Sequence, residues 1–149
     1  MDELTDKRQQ WFYIYKERLD RTVERFAKEG ANFTCPCCGY PTLSERGAYD
    51  ICPLCDWEDD GQDDPHADEV WGGPNSDYSL SESRDNFQKH LTMYRPADER
   101  SYQRHLQKLS VKRELISIYD RMLENQGSYN FKNEFERLRK KAERLTDVL

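Results

Sequence analysis

The segment 35-CPCCGYPTLSERGAYDICPLCDWEDDGQDD-64 holds all five cysteines of the chain and then runs into a string of acids. Cys35 with Cys38 and Cys52 with Cys55 make two Cys-x2-Cys pairs, thirteen residues apart. Two such knuckles supply the four thiolates of a closed tetrahedral site, so the spacing predicts structural zinc on Cys35, Cys38, Cys52 and Cys55. Pro36 and Pro53 preset one dihedral in each turn, and Gly39 gives permissive backbone just past the first pair. Asp56 stands where a second Gly is expected, and Asp tolerates the left-handed region better than most residues. Cys37 is surplus. Pairing it with Cys35 leaves a single intervening residue, so it reads as a free, small, partly buried thiol. A redox dithiol is the weaker reading of the cluster, because one Cys-x-x-Cys would suffice for it.

Between the knuckles, Thr42 to Ile51 reads as two short strands about a turn at Gly47, which makes the unit a zinc ribbon. Composition agrees that a staple is needed. Across 149 residues the hydrophobic share is 36% and the mean hydropathy -1.09, low for a chain that must bury a core. Structural zinc contributes roughly 10–16 kcal/mol of apparent binding energy in small peptides, enough to fold a segment this poor in aliphatics.

Charge is unevenly spread. Residues 31–80 carry 11 acids against Arg46 alone, near -10, whereas residues 81–149 carry 11 acids and 15 bases, near +4. An acidic centre suits a basic partner and repels nucleic acid. From Asp56 to Glu69 there are eight acids, bracketed by Trp57 and Trp71. Asp56-x-Glu58-x-Asp60-Gly61 faintly echoes the opening of a calcium loop, but position twelve would be Ala67, which offers no bidentate carboxylate. The run reads either as a solvated loop or as a partner surface made by Trp57, Glu58, Asp59, Asp60, Asp63, Asp64 and Trp71. The two Trp either pack on the ribbon or serve as rigid interface anchors.

The strings CPCCGY, YDICPLC, WEDDGQDDP and VWGGPN together make residues 34–94 resemble the bacterial cysteine-rich CPCC domain family. The resemblance implies a small bacterial zinc-binding domain on the same four cysteines, without an assigned activity. Asp56 departs from that family's usual apolar residue or Gly.

The ends are read from pattern alone. Phe12, Tyr15, Leu19, Val23 and Phe26 recur at helical spacing before Gly30, predicting an amphipathic helix over about 6–29. Ser79-Leu-Ser-Glu82 has capping-box form and opens a helix carrying Phe87, Leu91 and Tyr94, which Pro96 ends. Over 98–125 two stripes run side by side: Tyr102, Leu106, Leu109, Ile116, Tyr119 and Leu123, and Val111, Leu115, Ile118 and Met122. After Gly127 a near-heptad seam, Phe131 to Leu149, suits either an intramolecular bundle or a homodimer. The organisation expected is an N-terminal helix (1–30), a zinc-ribbon-like domain with an acidic loop (31–95) and a C-terminal helical hairpin (96–149). In fold class this is α+β: a small four-cysteine, zinc-ribbon-like module with a β-hairpin, embedded in a helical bundle.

His66, Asn75 and His90 follow the order of an HNH nuclease, but both knuckles precede His66 and the charge opposes DNA. His105 reads as a surface or boundary residue. No phosphate-cradling Gly loop or nucleophile elbow is present. No apolar h-region opens the chain and no 18-residue apolar run occurs, pointing to a soluble protein of a reducing, cytoplasmic compartment rather than a membrane. The function expected is non-enzymatic: a zinc-binding interaction protein with a protein partner, in one version an immunity protein masking a basic toxin domain. The alternative is a zinc-ribbon nucleic-acid-associated factor using Lys140, Lys141 and Arg144.

Overall fold

The computed structural model describes residues 3–22 and 33–124. Among the described residues three α-helices surround a cysteine-rich centre: α1 (Glu3–Thr22), α2 (Leu80–His90) and α3 (Glu99–Glu124). Short 3-10 turns occupy Asp64–His66 and Gly73–Asn75.

The two knuckles are built alike, at an offset of 17 residues. The amide of Gly39 donates to the Cys35 carbonyl at 2.8 Å, and that of Asp56 to Cys52 at 2.9 Å. The amide of Cys35 donates to the Tyr40 carbonyl and that of Cys52 to the Trp57 carbonyl, each at 2.9 Å. Gly39 (φ 83) and Asp56 (φ 72) both take the left-handed conformation that closes the turn. Tyr40 and Trp57 then both plunge inward and are fully buried. In the same register Cys37 matches Leu54, and both are fully buried. Cys37 thus fills the place of an aliphatic plug. The repeat escapes a reading of the sequence because only Cys-Pro-x-Cys is shared; backbone bonds carry the rest.

The expected hairpin is not there. Among the described residues there is no strand or sheet, only two isolated bridges, Phe33 with Leu43 and Ile51 with Glu58. Each bridge clasps the two ends of one knuckle rather than joining the knuckles to each other. The α+β ribbon is therefore corrected to a helical protein around paired knuckles. Polar side chains explain it, because they take the donors a hairpin would use. Asp59 accepts from the Gly47 amide at 2.7 Å, and Asp50 from the Glu45 amide at 3.2 Å. The Asp59 backbone pairs with Tyr49 and Asp50 instead, each at 2.9 Å.

α1 lies on the first knuckle. Thr5, Arg8 and Phe12 share one face and are buried. Arg8 donates to the Cys38 carbonyl at 3.1 Å and lies 4.4 Å from the centre of the Tyr40 ring. The approach needs Gly39, where an added Cβ would come within 2.8 Å of the Thr5 carbonyl. Phe12 and Tyr40 meet Tyr119 of α3, with Tyr40 and Tyr119 stacked at 5.2 Å. The expected extension of this helix to residue 29 lies partly outside the described residues, as do the side chains of Tyr15, Leu19, Val23 and Phe26.

Ser79 caps α2 as expected, accepting from the Glu82 amide at 3.0 Å. The Glu82 carboxylate goes to Arg95 at 2.6 Å rather than back to the cap. The helix stops at His90, well before Pro96, because Leu91 turns left-handed (φ 63). The chain then docks on the second knuckle, Met93 donating its amide to the Cys55 carbonyl at 2.7 Å. Along α3 the stripe Val111, Leu115 and Ile118 is buried, whereas Leu106 of the other stripe is 40% exposed. The predicted seam 131–149 and the cations Lys140, Lys141 and Arg144 lie outside the described residues.

Candidate metal centre

The two knuckles point four thiols at one spot. Cys35, Cys38, Cys52 and Cys55 are all fully buried, and their sulfurs lie within 4.8 Å of one another. Cys35 and Cys55 stand 3.5 Å apart and Cys38 and Cys52 3.7 Å. A tetrahedron with Zn–S bonds of about 2.3 Å has edges of about 3.8 Å, so these separations fit one zinc-sized ion. They are far too long for a disulfide, about 2.05 Å, and all five cysteines are free. Among the described residues this is the one group of metal-ligating side chains with such spacing. Cys37 is outside it, though its amide points at the Cys35 sulfur at 3.4 Å.

The electrostatics suit a cation. Burial pushes the Cys35, Cys38 and Cys55 thiols upward. Cys52 bears the same burial penalty yet is pulled well below the usual thiol value, because the other three thiols and the Thr42 hydroxyl point at it. Thr42 lies 2.9 Å from the Cys52 sulfur. Entry of a cation releases the thiol protons, because the thiolate is the form that binds metal.

Around the centre, polar groups lock the knuckles to the helices. Arg84 of α2 is buried, donates to the Pro36 carbonyl at 2.8 Å and pairs with Asp64 at 2.6 Å. Lys112 of α3 is wholly buried and pairs with Asp56 at 2.7 Å. Its ammonium also meets His105 Nδ1 at 2.8 Å. His105 is buried, not a surface residue, and its pKa is held down to about 4, first by burial and then by Lys112. Nδ1 must accept from Lys112, so the ring proton sits on Nε2, which is buried and has no hydrogen-bond partner among the described residues. Sequence reasoning missed this trio. The spacing of His105, Lys108, Lys112, Leu115 and Tyr119, alternately three and four, was the available signal that polar residues share the apolar face.

The residues expected to face a partner divide. Trp57 is fully buried in the core, and Asp59 is fully buried, bonded to Arg46 at 2.9 Å; neither is presented at the surface. Their burial corrects that expectation: with few aliphatics, the centre is filled by aromatics, and Asp59 is needed to hold the Arg46–Gly47 turn. Asp63 pairs with Arg46 at 2.8 Å, and Asp60 accepts from the Gln62 amide at 3.0 Å. Glu58 is half-buried, while Trp71 is 46% exposed beside Val70 at 55%. Of the nuclease-like set, Asn75 bonds both the amide and carbonyl of Glu58, His66 pairs with Glu69 at 2.6 Å, and His90 packs edge-on against Tyr102.

Fold and site define a helical protein with a four-cysteine metal-binding centre. The family of cysteine-rich CPCC proteins matches residues 33–107, and the chain belongs to it. No curated protein and no solved structure matches the chain. No helix among the described residues is long and apolar enough to cross a membrane.

Proposed function

We propose that this chain is a non-catalytic, zinc-stapled protein-binding module whose partner is a basic protein. Four thiolates close the coordination sphere of zinc and leave no open position for a substrate. The carrying observation is the exposed strip Asp68-Glu69-Val70-Trp71, where two acids precede two exposed apolar side chains. A Trp on an acidic rim supplies an anchor, and the charge steers a cationic partner toward it. In its most concrete form the protein is an immunity protein that neutralises a toxin by covering a basic active site, in a bacterial cytoplasm where thiols stay reduced.

The test is capture of the tagged full chain from its own cell under reducing conditions, beside the variant Asp68→Lys/Glu69→Lys/Trp71→Ala. A stoichiometric basic companion, lost from the variant while its metal content is kept, supports the reading. A companion held equally by both, or recovery of nuclease-sensitive nucleic acid alone, sinks it.

A further inference from the structure

A cavity of about 370 Å³ lies between the second knuckle, the Gly73–Asn75 turn and the beginning of α3. Small-molecule sites occupy roughly 300–1,000 Å³. None of Asp68, Glu69, Val70 and Trp71 lines it, so it is separate from the proposed partner strip.

Its walls are chemically unlike. Ile51, Pro53 and Pro74 give an apolar side, and α3 gives Arg104 and Lys108, one helical turn apart on the same face. Lys112 continues that row, but its charge is already met by Asp56. The side chains of Arg104 and Lys108 make no hydrogen bond or ion pair with any described residue. Burial depresses the Lys108 amine, and Lys112 and Arg104 add to the effect against the opposing pull of Asp56. Two acids face the same space. The Asp56 carboxylate is taken by Lys112 and Thr92, each at 2.7 Å, while that of Glu58 has no cation partner among the described residues. His105 is neutral over most of the pH range and adds no charge. The wall of α3 therefore offers two cations without an ion pair of their own, Arg104 exposed and Lys108 half-buried and only partly offset by Asp56 and Glu58, and at the half-buried Lys108 charge interactions are stronger than in bulk water.

We infer that this cavity binds a small anionic ligand, its carboxylate or phosphate set between Arg104 and Lys108 and its apolar body against Ile51, Pro53 and Pro74. The anion relieves the repulsion between the two cations, and the concave apolar wall selects a ligand with a flat or aliphatic body over a bare ion.

The experiment titrates the metal-loaded, isotope-labelled full chain with inorganic phosphate, acetate and benzoate in turn, at constant ionic strength, following backbone amide resonances. Saturable shifts confined to residues 51–58, 74–75 and 101–108 in the millimolar range are expected for at least one probe. Saturation by benzoate, tighter than acetate, assigns a carboxylate on an apolar body; saturation by phosphate alone assigns a phosphate group between the two cations and overturns the selective role given to the apolar wall. Arg104→Gln/Lys108→Gln is expected to weaken the better probe by about tenfold or more, the loss of charge-assisted bonds. Glu58→Gln, which removes an opposing charge at a half-buried side chain, is expected to tighten it by about threefold. No saturable shift with any probe, or affinities unchanged in both variants, overturns the inference.

Discussion

Replacing Asp56 with Asn tests how the second knuckle is fastened to α3. Asn keeps the shape and tolerates the left-handed backbone at φ 72, so the charge is what changes. In the native chain the Lys112 ammonium sits 2.7 Å from the Asp56 carboxylate; the Lys side chain is 0% exposed and the Asp side chain 14%. Removing one member of a buried pair costs roughly 3–5 kcal/mol, since the other charge stays buried without compensation. Asp56→Asn strands the wholly buried member and is expected to cost about 4 kcal/mol, in the middle of that range. Lys112→Met strands a carboxylate that keeps the Thr92 hydroxyl and some access to water. Its expected cost is smaller, about 2–3 kcal/mol. The double variant leaves no charge unmet and is expected at about 1–2 kcal/mol, so the two sites couple by several kcal/mol. Urea unfolding of the three variants, all at the same free zinc concentration, reads these values. Costs that add to within about 0.5 kcal/mol would show that the pair does not fasten the fold.

Gly39→Ala is expected to loosen α1, because its Cβ would meet the Thr5 carbonyl at 2.8 Å in a backbone at φ 83; amide exchange in α1 should rise while metal content holds. Cys37→Val is expected to keep the metal, since Cys37 occupies the place that Leu54 fills in the second knuckle; loss of metal in that variant would contradict the pairing of the knuckles. Lowering the pH should also test His105, whose folded value of about 4 lies below its ordinary 6.5. Between those values the unfolded chain binds the extra proton, so stability falls as pH falls, by at most about 1.4 kcal/mol per pH unit for one group. Above that window His105 contributes no slope, and His105→Gln should flatten the dependence inside it; equal slopes in the two proteins would show that His105 is not the group responsible.

The four thiols are legible in the sequence because Cys-x2-Cys spacing is a local signature whose partner knuckle lies close along the chain. Ser79 and Asp56 are legible for the same reason: a cap and a left-handed turn depend on a few neighbouring residues. The hairpin fails because the alternation of residues 42–51 says nothing about Asp50 and Asp59, whose carboxylates claim the backbone amides of the turn. From the sequence Trp57 reads either as packing on the ribbon or as an interface anchor among acids; it stands at the position of Tyr40 in the repeated turn and goes inward. Lys112 and Arg84 reach partners 56 and 48 residues away, separations that no local pattern reveals. Buried polar residues of this kind hold the cysteine centre to its helices, and their partners become visible only once the chain is folded.

The most direct test of the metal centre is native mass spectrometry of the reduced full chain beside Cys37→Ser and Cys38→Ser. One bound zinc per chain in the wild type and in Cys37→Ser, with loss from Cys38→Ser, is the expected result. A metal-free chain that remains folded, or a metal that depends on Cys37 and not on Cys38, would contradict the assignment of Cys35, Cys38, Cys52 and Cys55.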